Sequence, residues 1–349
     1  MKNRDKLPPV SVIVVTLDNR DLLAGCLESL ENQDYPDLET IVVDNGSVQD
    51  IGSLVKERFP RVRLVRLEEN QGFAGGNNHG IRQAGGEYLA LINNDASAAP
   101  DWISRMVEAA RADSRAGAVA SLVLDGNRPG VLDSLGVGLA LDGMSRQRMK
   151  GLPRPRAAET SECPLFSGCA CLLRKSALDE VGLFDEDFFA YCEDTDLGLR
   201  LRLAGWKVLA APRAEVTHYY SRTGGEFSLQ KIYWVERNHF WVAVKNFPLP
   251  LLVFLPVLTL YRCLVQFYLL ATGHDGFWSY LDRNRLPALI RVYCRAWLDM
   301  LLHLPKMWHK RLALKRSHRL GARESAAWIL RHHMSISQVI AGESKSSCP

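Results

Sequence analysis

The chain has 349 residues, of which 47% are hydrophobic, so it can bury one large core or two ordinary ones. This composition excludes an intrinsically disordered protein. The formal net charge is only +4, but positive charge is concentrated late in the chain, because residues 282–331 contain twelve Lys or Arg and three acidic residues.

The eight cysteines form no CxxC pair and do not cluster with histidine. This usage predicts reduced thiols in the cytosol. The segment Met1 to Pro9 is polar and lacks the apolar region of a cleaved export signal, so we expect none there.

Strands and helices alternate from the start of the chain. Val10 to Thr16 (VSVIVVT) is a β-branched run, and the apolar residues that follow repeat at helical spacing, with Asp18 or Asn19 placed to cap that helix. Further buried strands are predicted over Thr40–Asp44, Val62–Leu67 and Glu87–Asn93. This order predicts an α/β fold with a doubly wound, mostly parallel sheet.

The strand over 87–93 ends on the polar residues Asn93, Asn94 and Asp95. Open α/β sheets bind ligands where their strands end. Asp95 is therefore placed to hold a divalent cation on a phosphate, with water and substrate oxygens as the other ligands. The alternative is that these residues only turn the chain and cap the helix beginning near Asp101.

A nucleotide site is predicted along one edge of the sheet, where the strands end. It would be formed by Thr16, Asp44, the Asn70–Gly80 loop and Asp95. The loop (NQGFAGGNNHG) is glycine-rich and is predicted to turn into a short helix. Its glycines do not follow the dinucleotide fingerprint, and no GK[ST] sequence follows it. A hydride-transfer enzyme and a P-loop NTPase are therefore disfavoured.

The middle of the chain is less regular. A helix is predicted over Trp102–Arg111 and a strand over Gly117–Leu124. Asp125–Thr160 is rich in Gly, Pro and Arg, so we expect an irregular excursion there. Order is expected to return at Phe166–Leu173.

Three acidic residues, Glu193, Asp194 and Asp196, fall in the first turn of a helix predicted to end at Gly205. The helix dipole alone would favour acids there. Alternatively, partial burial beside the preceding aromatic run raises their pKa, which makes a better proton acceptor.

Two more strands are expected over Trp206–Ala211 and Ala214–His218. A lone histidine at a strand end, such as His218, is more often structural, although neutral imidazole is a common metal ligand. The residues alone leave both interpretations open.

Taken together, these motifs resemble the family 2 glycosyltransferases with the GT-A fold, and most of all their rhamnosyltransferase-like branch. The resemblance spans about residues 9–225. It rests on VSVIVVTLDNRD near the start, IVVDNGS at 41–47, NQGFAGGNNHGI at 70–81, YLALINND at 88–95, FSGCACLLRK at 166–175 and GLFDEDFFAYCEDTDLGLRLRLAGWKV at 182–208. Each segment is weak alone, but the set in this order is specific.

The resemblance implies roles for individual residues. Nucleotide-sugar contacts would come from Thr16, Asn19, Asp44, Asn70, Gly72, Asn77 and Asn93. Asp95 would hold Mg²⁺ or Mn²⁺ on the diphosphate, with His218 as a further ligand. Asp194 would be the general base that deprotonates the acceptor hydroxyl, with Glu193 beside it. Asn93 stands where the family's DxD motif has its first acid, which removes one charge from the metal site.

The last third of the chain differs in character. Phe247–Gly273 is nearly long enough to span a bilayer, but prolines, Arg262 and Gln266 interrupt it. Basic, amphipathic sequence follows, which predicts interfacial association with an anionic membrane surface and not a clean span. Nucleic-acid binding is the competing use of such charge, and the hydrophobic neighbouring sequence argues against it.

We therefore expect two parts, a GT-A domain over 1–230 and membrane-associating helices over 231–349. The expected function is inverting, metal-dependent transfer of a sugar, with rhamnose as the first candidate, from a dTDP-, UDP- or GDP-linked donor. The acceptor would be a hydroxyl of a polyprenyl-linked or cell-surface glycan, and the enzyme would lie on the cytoplasmic face of the membrane. The alternative is a catalytically idle scaffold that docks at membranes.

Overall fold

The computed structural model describes residues 7–155, 159–219, 228–272 and 286–341. The strands are β1 (Val10–Thr16), β2 (Leu38–Asn45), β3 (Arg63–Leu67), β4 (Tyr88–Ile92), β5 (Ala96–Ala98), β6 (Ala116–Asp125), β7 (Leu132–Leu135), β8 (Val137–Ala140), β9 (Ser145–Gln147), β10 (Ser161–Glu162), β11 (Ala170–Arg174), β12 (Lys207–His218) and β13 (His333–Met334). The helices are α1 (Arg20–Glu31), α2 (Ile51–Arg58), α3 (Gly72–Gln83), α4 (Trp102–Ala112), α5 (Lys175–Val181), α6 (Glu193–Leu203), α7 (Leu229–Asn246), α8 (Leu249–Leu252), α9 (Leu255–Thr272), α10 (Leu286–Leu302), α11 (Leu304–Leu314), α12 (Ala322–His332) and α13 (Ile336–Ala341).

The main sheet has the strand order β10-β12-β6-β11-β4-β1-β2-β3. Strands β3, β2, β1 and β4 are parallel to one another, so their carboxyl ends lie at one edge. Strand β11 runs antiparallel between β4 and β6, and β12 is again parallel to β6. The predicted α/β class with a mostly parallel sheet is confirmed.

Helices cover both faces of this sheet, which explains why its strands are continuous apolar runs. Val12 and Val14 of β1 point into the core beneath α1, α2 and α4. Ile13, between them, points into the opposite core, which contains residues of α3, α5 and α6. Successive side chains of one strand thus fill two different cores.

The structure corrects several local predictions. The glycine-rich segment is already helical from Gly72, since α3 spans Gly72–Gln83. The excursion predicted over 125–160 contains strands β7, β8 and β9. The two strands predicted before His218 form one strand, β12, with a register irregularity between Ala211 and Glu215. Asn19 is the N-cap of α1, but its side chain makes no capping hydrogen bond.

The helices after residue 228 share a hydrophobic core with the sheet part of the protein. Trp241 and Phe247 of α7 and Met307 of α11 pack in the same cluster as Phe188 and Leu199. Strand β13 also pairs with β8. The division at residue 230 stays a prediction, and both sides of it are in contact through this core.

Helix α9 turns its polar residues inward and its apolar residues outward. Arg262, which is fully buried, donates to both carboxylate oxygens of Glu236 at 2.9 Å and to Asp142 Oδ2 at 2.6 Å. The opposite side of α9, together with two residues just before the helix, is here called the outer apolar face. Its side chains are each more than half exposed: Val253, Phe254, Val257, Leu260, Tyr261, Leu264 and Tyr268. Among the described residues, no helix combines the length and apolarity needed to cross a bilayer.

The buried arginine cluster generates a stability prediction. Arg262→Ala leaves Glu236 and Asp142 as buried carboxylates without their cation, so the free energy of unfolding should fall by about 3–5 kcal/mol. Arg105→Ala is the control, because Arg105 also faces two acids, at 3.0 and 3.2 Å, but is 39% exposed. Its loss should lower the free energy of unfolding far less, because water screens an exposed ion pair. Denaturant unfolding measures both, and equal losses would contradict this account.

Candidate active site

A cleft of about 670 Å³ lies at the carboxyl ends of β1, β2 and β4 and reaches the start of α6. Most of the residues predicted for the site line it: Asn70, Gly72, Asn77, Asn93, Asp95, Glu193, Asp194 and His218. Thr16, Asn19 and Asp44 are not part of the lining. The structure therefore brings the predicted metal and base residues into one cavity and places three predicted nucleotide contacts beneath or beside it.

Those three residues support the cleft through neighbours. Thr16 Oγ1 accepts a hydrogen bond from Asn94 Nδ2 at 2.9 Å, and Asn94 lines the cleft. Asn19 Nδ2 donates to Leu17 O at 3.2 Å. Asp44 is fully buried, and its Oδ1 accepts from Ser47 N at 2.9 Å. Its Oδ2 has no hydrogen-bond partner but lies 3.7 Å from Arg66 Nε, so the carboxylate faces a cation.

The turn into α3 is held by two asparagines. Asn45 Oδ1 accepts from Gln71 N at 2.9 Å, and Asn70 Oδ1 accepts from Gly72 N at 2.8 Å. Gly72 has φ +69, and a Cβ there would lie 2.3 Å from Phe189 O. Only glycine fits this position without displacing the loop before α6. The predicted nucleotide loop is thus in direct backbone contact with the loop that carries the acidic pair.

Asp95 and His218 meet in the cleft, with Asp133 behind them. His218 Nε2 lies 3.2 Å from Asp95 Oδ1, and Nδ1 lies 3.0 Å from Asp133 Oδ2. Burial lowers the pKa of His218, but Cys169 and the hydrogen bonds with both carboxylates raise it more, so the net direction is upward. Asp133 was not predicted from the sequence, although an acidic residue within the apolar stretch from Leu132 to Leu135 could have indicated a functional role.

This donor set fits a divalent cation. A metal-bound histidine usually donates its other ring N–H to a carboxylate, which is the arrangement of His218 and Asp133. Among the described residues, no group of three or more His, Cys, Asp or Glu is arranged to hold a metal alone. Mg²⁺ commonly binds through one or two protein carboxylates plus substrate phosphates and water, so a single carboxylate such as Asp95 is compatible with a cation that a diphosphate also holds.

At the start of α6, Glu193 is buried, and its neighbour Asp194 is half-buried and lines the cleft. Burial raises the pKa of Glu193 strongly, and the charge of Asp194 adds to it. Glu193 Oε2 has no hydrogen-bond partner. Burial also raises the pKa of Asp194, although hydrogen bonds from Gly168 N at 2.9 Å and Thr195 N at 2.6 Å oppose the shift. Both carboxyls are therefore better proton acceptors than ordinary ones.

An aromatic wall borders the acidic pair. It consists of Phe189, Tyr191 and Trp234, with the Trp234 ring centroid 5.2 Å from that of Phe189 and 6.1 Å from that of Tyr191. All three line the cleft together with Lys231. Trp234 and Lys231 come from α7, and sequence analysis did not assign them to the site. Their contact with the loop before α6 is a product of packing that no local pattern reveals.

Two family models match the chain. The model described as "Glycosyl transferase family 2" matches residues 11–182, and that described as "Glycosyl transferase family group 2" matches residues 140–328. The chain is also 31% identical over 243 residues to the N-acetylglucosaminyl-diphospho-decaprenol L-rhamnosyltransferase of Mycobacterium tuberculosis. That alignment covers 63% of this chain and 78% of the relative.

Solved structures resemble the fold. GalNAc-T7, solved with UDP, GalNAc and Mn²⁺, aligns with a TM-score of 0.60 and 17% identity over 72% of this chain and 50% of its own. The mannosyltransferase PcManGT of Pyrobaculum calidifontis, in complex with GDP-Man and Mn²⁺, aligns with a TM-score of 0.52 and 20% identity. That alignment covers 90% of this chain and 86% of the other.

The close approach at Gly72 predicts that alanine destabilises the protein at this position, whereas alanine at an open helical glycine stabilises it. Gly72→Ala should lower the free energy of unfolding by about 1–3 kcal/mol, because the new Cβ meets Phe189 O and the backbone conformation is strained for alanine. Gly25→Ala is the control, since Gly25 lies in α1 with nothing within 4 Å of a Cβ. It should raise stability by about 0.5–1 kcal/mol. Denaturant unfolding measures both variants. If Gly72→Ala left the free energy of unfolding unchanged, the close contact with Phe189 would be refuted.

Proposed function

The chain belongs to the family 2 glycosyltransferases, and on this premise we propose that it catalyses inverting, metal-dependent sugar transfer from a nucleotide-diphosphate donor to a glycan hydroxyl. The observation that carries the proposal is the single cleft in which the Asp95–His218 pair and the Glu193–Asp194 pair face a common space. This reaction requires a site for a cation on the diphosphate and a base that accepts the proton of the acceptor hydroxyl.

The donor would lie along the nucleotide edge. Asn70, Gly72 and Asn77 line that part of the cleft, and Asp44 would contact the base or ribose from just outside its lining, where its Oδ2 lies 3.7 Å from Arg66 Nε. The relatives solved with nucleotides contain UDP or GDP-Man, and the rhamnosyltransferase relative supports rhamnose as the first sugar to test. We propose dTDP-rhamnose as the first candidate donor, with UDP- and GDP-sugars as alternatives.

The metal would be Mg²⁺ or Mn²⁺, held by Asp95 and His218, with Asn93 beside them. When bound, such a cation neutralises charge on the departing diphosphate as a Lewis acid. Asp133 contributes by holding the His218 ring through Nδ1, so that Nε2 faces Asp95. The chain's own residues thus fix the orientation of the donor set.

Proton transfer would be the task of Asp194, with Glu193 beside it. The acceptor hydroxyl gives its proton to the carboxylate while its oxygen forms a bond to the anomeric carbon. The bond from that carbon to the diphosphate oxygen breaks, and the diphosphate leaves with the electron pair. One base on the side opposite the leaving group gives inversion without a covalent enzyme intermediate.

The acceptor would be a polyprenyl-linked or cell-surface glycan. The aromatic wall supports this, because the rings of Tyr191 and Trp234 offer apolar surface to a sugar next to the acidic pair. The rhamnosyltransferase relative is named for an N-acetylglucosaminyl-diphospho-decaprenol acceptor.

Membrane placement follows from the outer apolar face. Seven large apolar side chains are exposed there, and exposed patches of this kind commonly mark interaction sites. Helices α10 and α12 also expose cations, including Arg291, Arg295 and Arg323, which would suit an anionic leaflet. We propose peripheral attachment at the cytoplasmic face of the membrane.

Thermal stability against a panel of dTDP-, UDP- and GDP-sugars, each with and without Mn²⁺, tests the donor site. One donor should raise the melting temperature in a metal-dependent way, because a ligand that binds only the folded state stabilises it. Asp95→Ala should lose the metal-dependent part. The absence of a shift with every donor, including in the presence of lipid vesicles, would favour the idle scaffold.

Asp194→Asn should reduce turnover by about 10²–10⁴-fold and keep the donor-induced thermal shift, since only the base is removed. Glu193→Gln is the matched comparison. Burial raises the pKa of both carboxyls, and the base must be ionised to act, so kcat/KM should fall as the pH drops through a value above the ordinary range of a carboxyl group. Near-native turnover of Asp194→Asn would show that the base is assigned wrongly.

Membrane attachment is tested by sedimentation with vesicles of phosphatidylcholine alone or mixed with phosphatidylglycerol. The unmodified chain should sediment with the anionic vesicles, and replacing Leu260 and Leu264 by serine should weaken this. Val48→Ser is the control, because Val48 is 96% exposed but lies on the sheet part. Equal binding of the double variant and the control would contradict the assignment of this face.

A further inference from the structure

The loop that leads into the acidic pair has a strained backbone. Phe189, Tyr191 and Cys192 all have positive φ, at 64°, 69° and 67°, although none is glycine. Phe189 is the centre of a three-residue turn in which Ala190 N donates to Phe188 O at 2.8 Å. Such conformations persist only where surrounding contacts enforce them. The loop therefore needs an external support.

Asn238 of α7 provides that support. Its side chain is fully buried, and Nδ2 lies within hydrogen-bonding distance of three carbonyls of the loop. The distances are 3.0 Å to Phe188 O, 2.9 Å to Ala190 O and 2.7 Å to Tyr191 O. One amide group thus contacts the backbone on both sides of the strained turn.

The neighbouring Arg237 fixes how the amide of Asn238 is turned. Arg237 Nε donates to Asn238 Oδ1 at 2.9 Å, which leaves Nδ2 as the end that faces the loop. Arg237 Nη2 also donates to Asp187 O at 3.2 Å and to Phe188 O at 3.1 Å. The guanidinium lies over the Trp241 ring, 4.2 Å from its centroid. Two adjacent residues of one helix therefore hold the loop.

The carbonyl that Asn238 does not contact, that of Phe189, faces the nucleotide side. Phe189 O accepts from Ala74 N at 3.2 Å, and Gly72 approaches it closely. Every carbonyl from Phe188 to Tyr191 is thus engaged, by α7 or by the start of α3. The position of the loop sets the spacing between the nucleotide turn and the acidic pair at 193 and 194.

We propose that Asn238, oriented by Arg237, is a positioning residue that places Glu193 and Asp194 relative to the bound donor. The inference rests on the proposed function. Asn238 does not itself line the cleft, and it acts through the backbone of residues 188–191, of which 189–191 do. Misplacement of a reacting group by about 1 Å can cost 10²-fold in rate, so the predicted effect is on turnover and not on donor binding.

The test is Asn238→Asp, which keeps the shape of the side chain. It replaces the donating amide group with a carboxylate oxygen, which cannot donate to the three carbonyls. Hydrolysis of dTDP-rhamnose, or of whichever panel donor gives the largest thermal shift, should show kcat reduced about 100-fold and donor KM changed less than about threefold. Amide hydrogen exchange at 189–192 should become faster. Asn246→Ala is the matched control, because Asn246 is a buried asparagine on the same helix that donates to Asp196 Oδ1 at 2.8 Å.

The control should lose stability but keep kcat in the folded protein. If Asn238→Asp does not fold, Arg237→Met tests the inference instead. We expect this variant to have a kcat at least about tenfold lower and an unchanged donor KM. Unchanged kcat in a folded variant at either position would overturn the inference. If the unmodified chain hydrolyses no donor, the proposed function fails instead, and unchanged exchange at 189–192 would still refute the support by Asn238.

Discussion

The structure depends on buried ionic contacts between α7 and the segment that carries the acids. Lys245 is almost fully buried, and its Nζ lies 2.6 Å from Asp185 Oδ2 and 2.8 Å from Asp196 Oδ1. Asn246 donates to the same Asp196 oxygen, and Arg200 binds the other one at 2.9 Å. Removing one partner from such a group leaves an uncompensated buried charge. Lys245 therefore fastens α7 to α6 at Asp196, whereas Asn246 adds one neutral hydrogen bond to the same carboxylate.

The same contacts divide three acids of one helical turn into two kinds. Burial alone would raise the pKa of Asp196, but Lys245 and Arg200 lower it, so this residue is a fixed anion. Glu193 and Asp194 have no such cation, and burial raises the pKa of both. Helix-dipole reasoning from the sequence treats all three alike. The difference arises from where the cations of α6 and α7 lie after packing.

The sequence predicted most of the sheet because its central strands are apolar runs covered on both faces, as Val12 and Ile13 illustrate. It predicted a short helix after the glycine-rich turn but not that the glycines themselves are helical, because glycines disfavour helices locally, whereas here Gly76 and Gly80 leave room for Val15 and Ile13 of β1. Asp95 was indicated by a strand end, whereas His218 was implied as a ligand only by the family resemblance. The sequence analysis missed Asp133, whose partner His218 is 85 positions away, because only the folded sheet brings the two together.

Helix α9 carries two independent properties on opposite sides. Arg262 anchors the inner side through Glu236 and Asp142, while the residues of the outer apolar face contribute little to the core because they remain exposed. Substitutions on the outer side should therefore leave folding unchanged. If this face is the proposed attachment surface, the location of the enzyme and its catalytic part can change independently of each other.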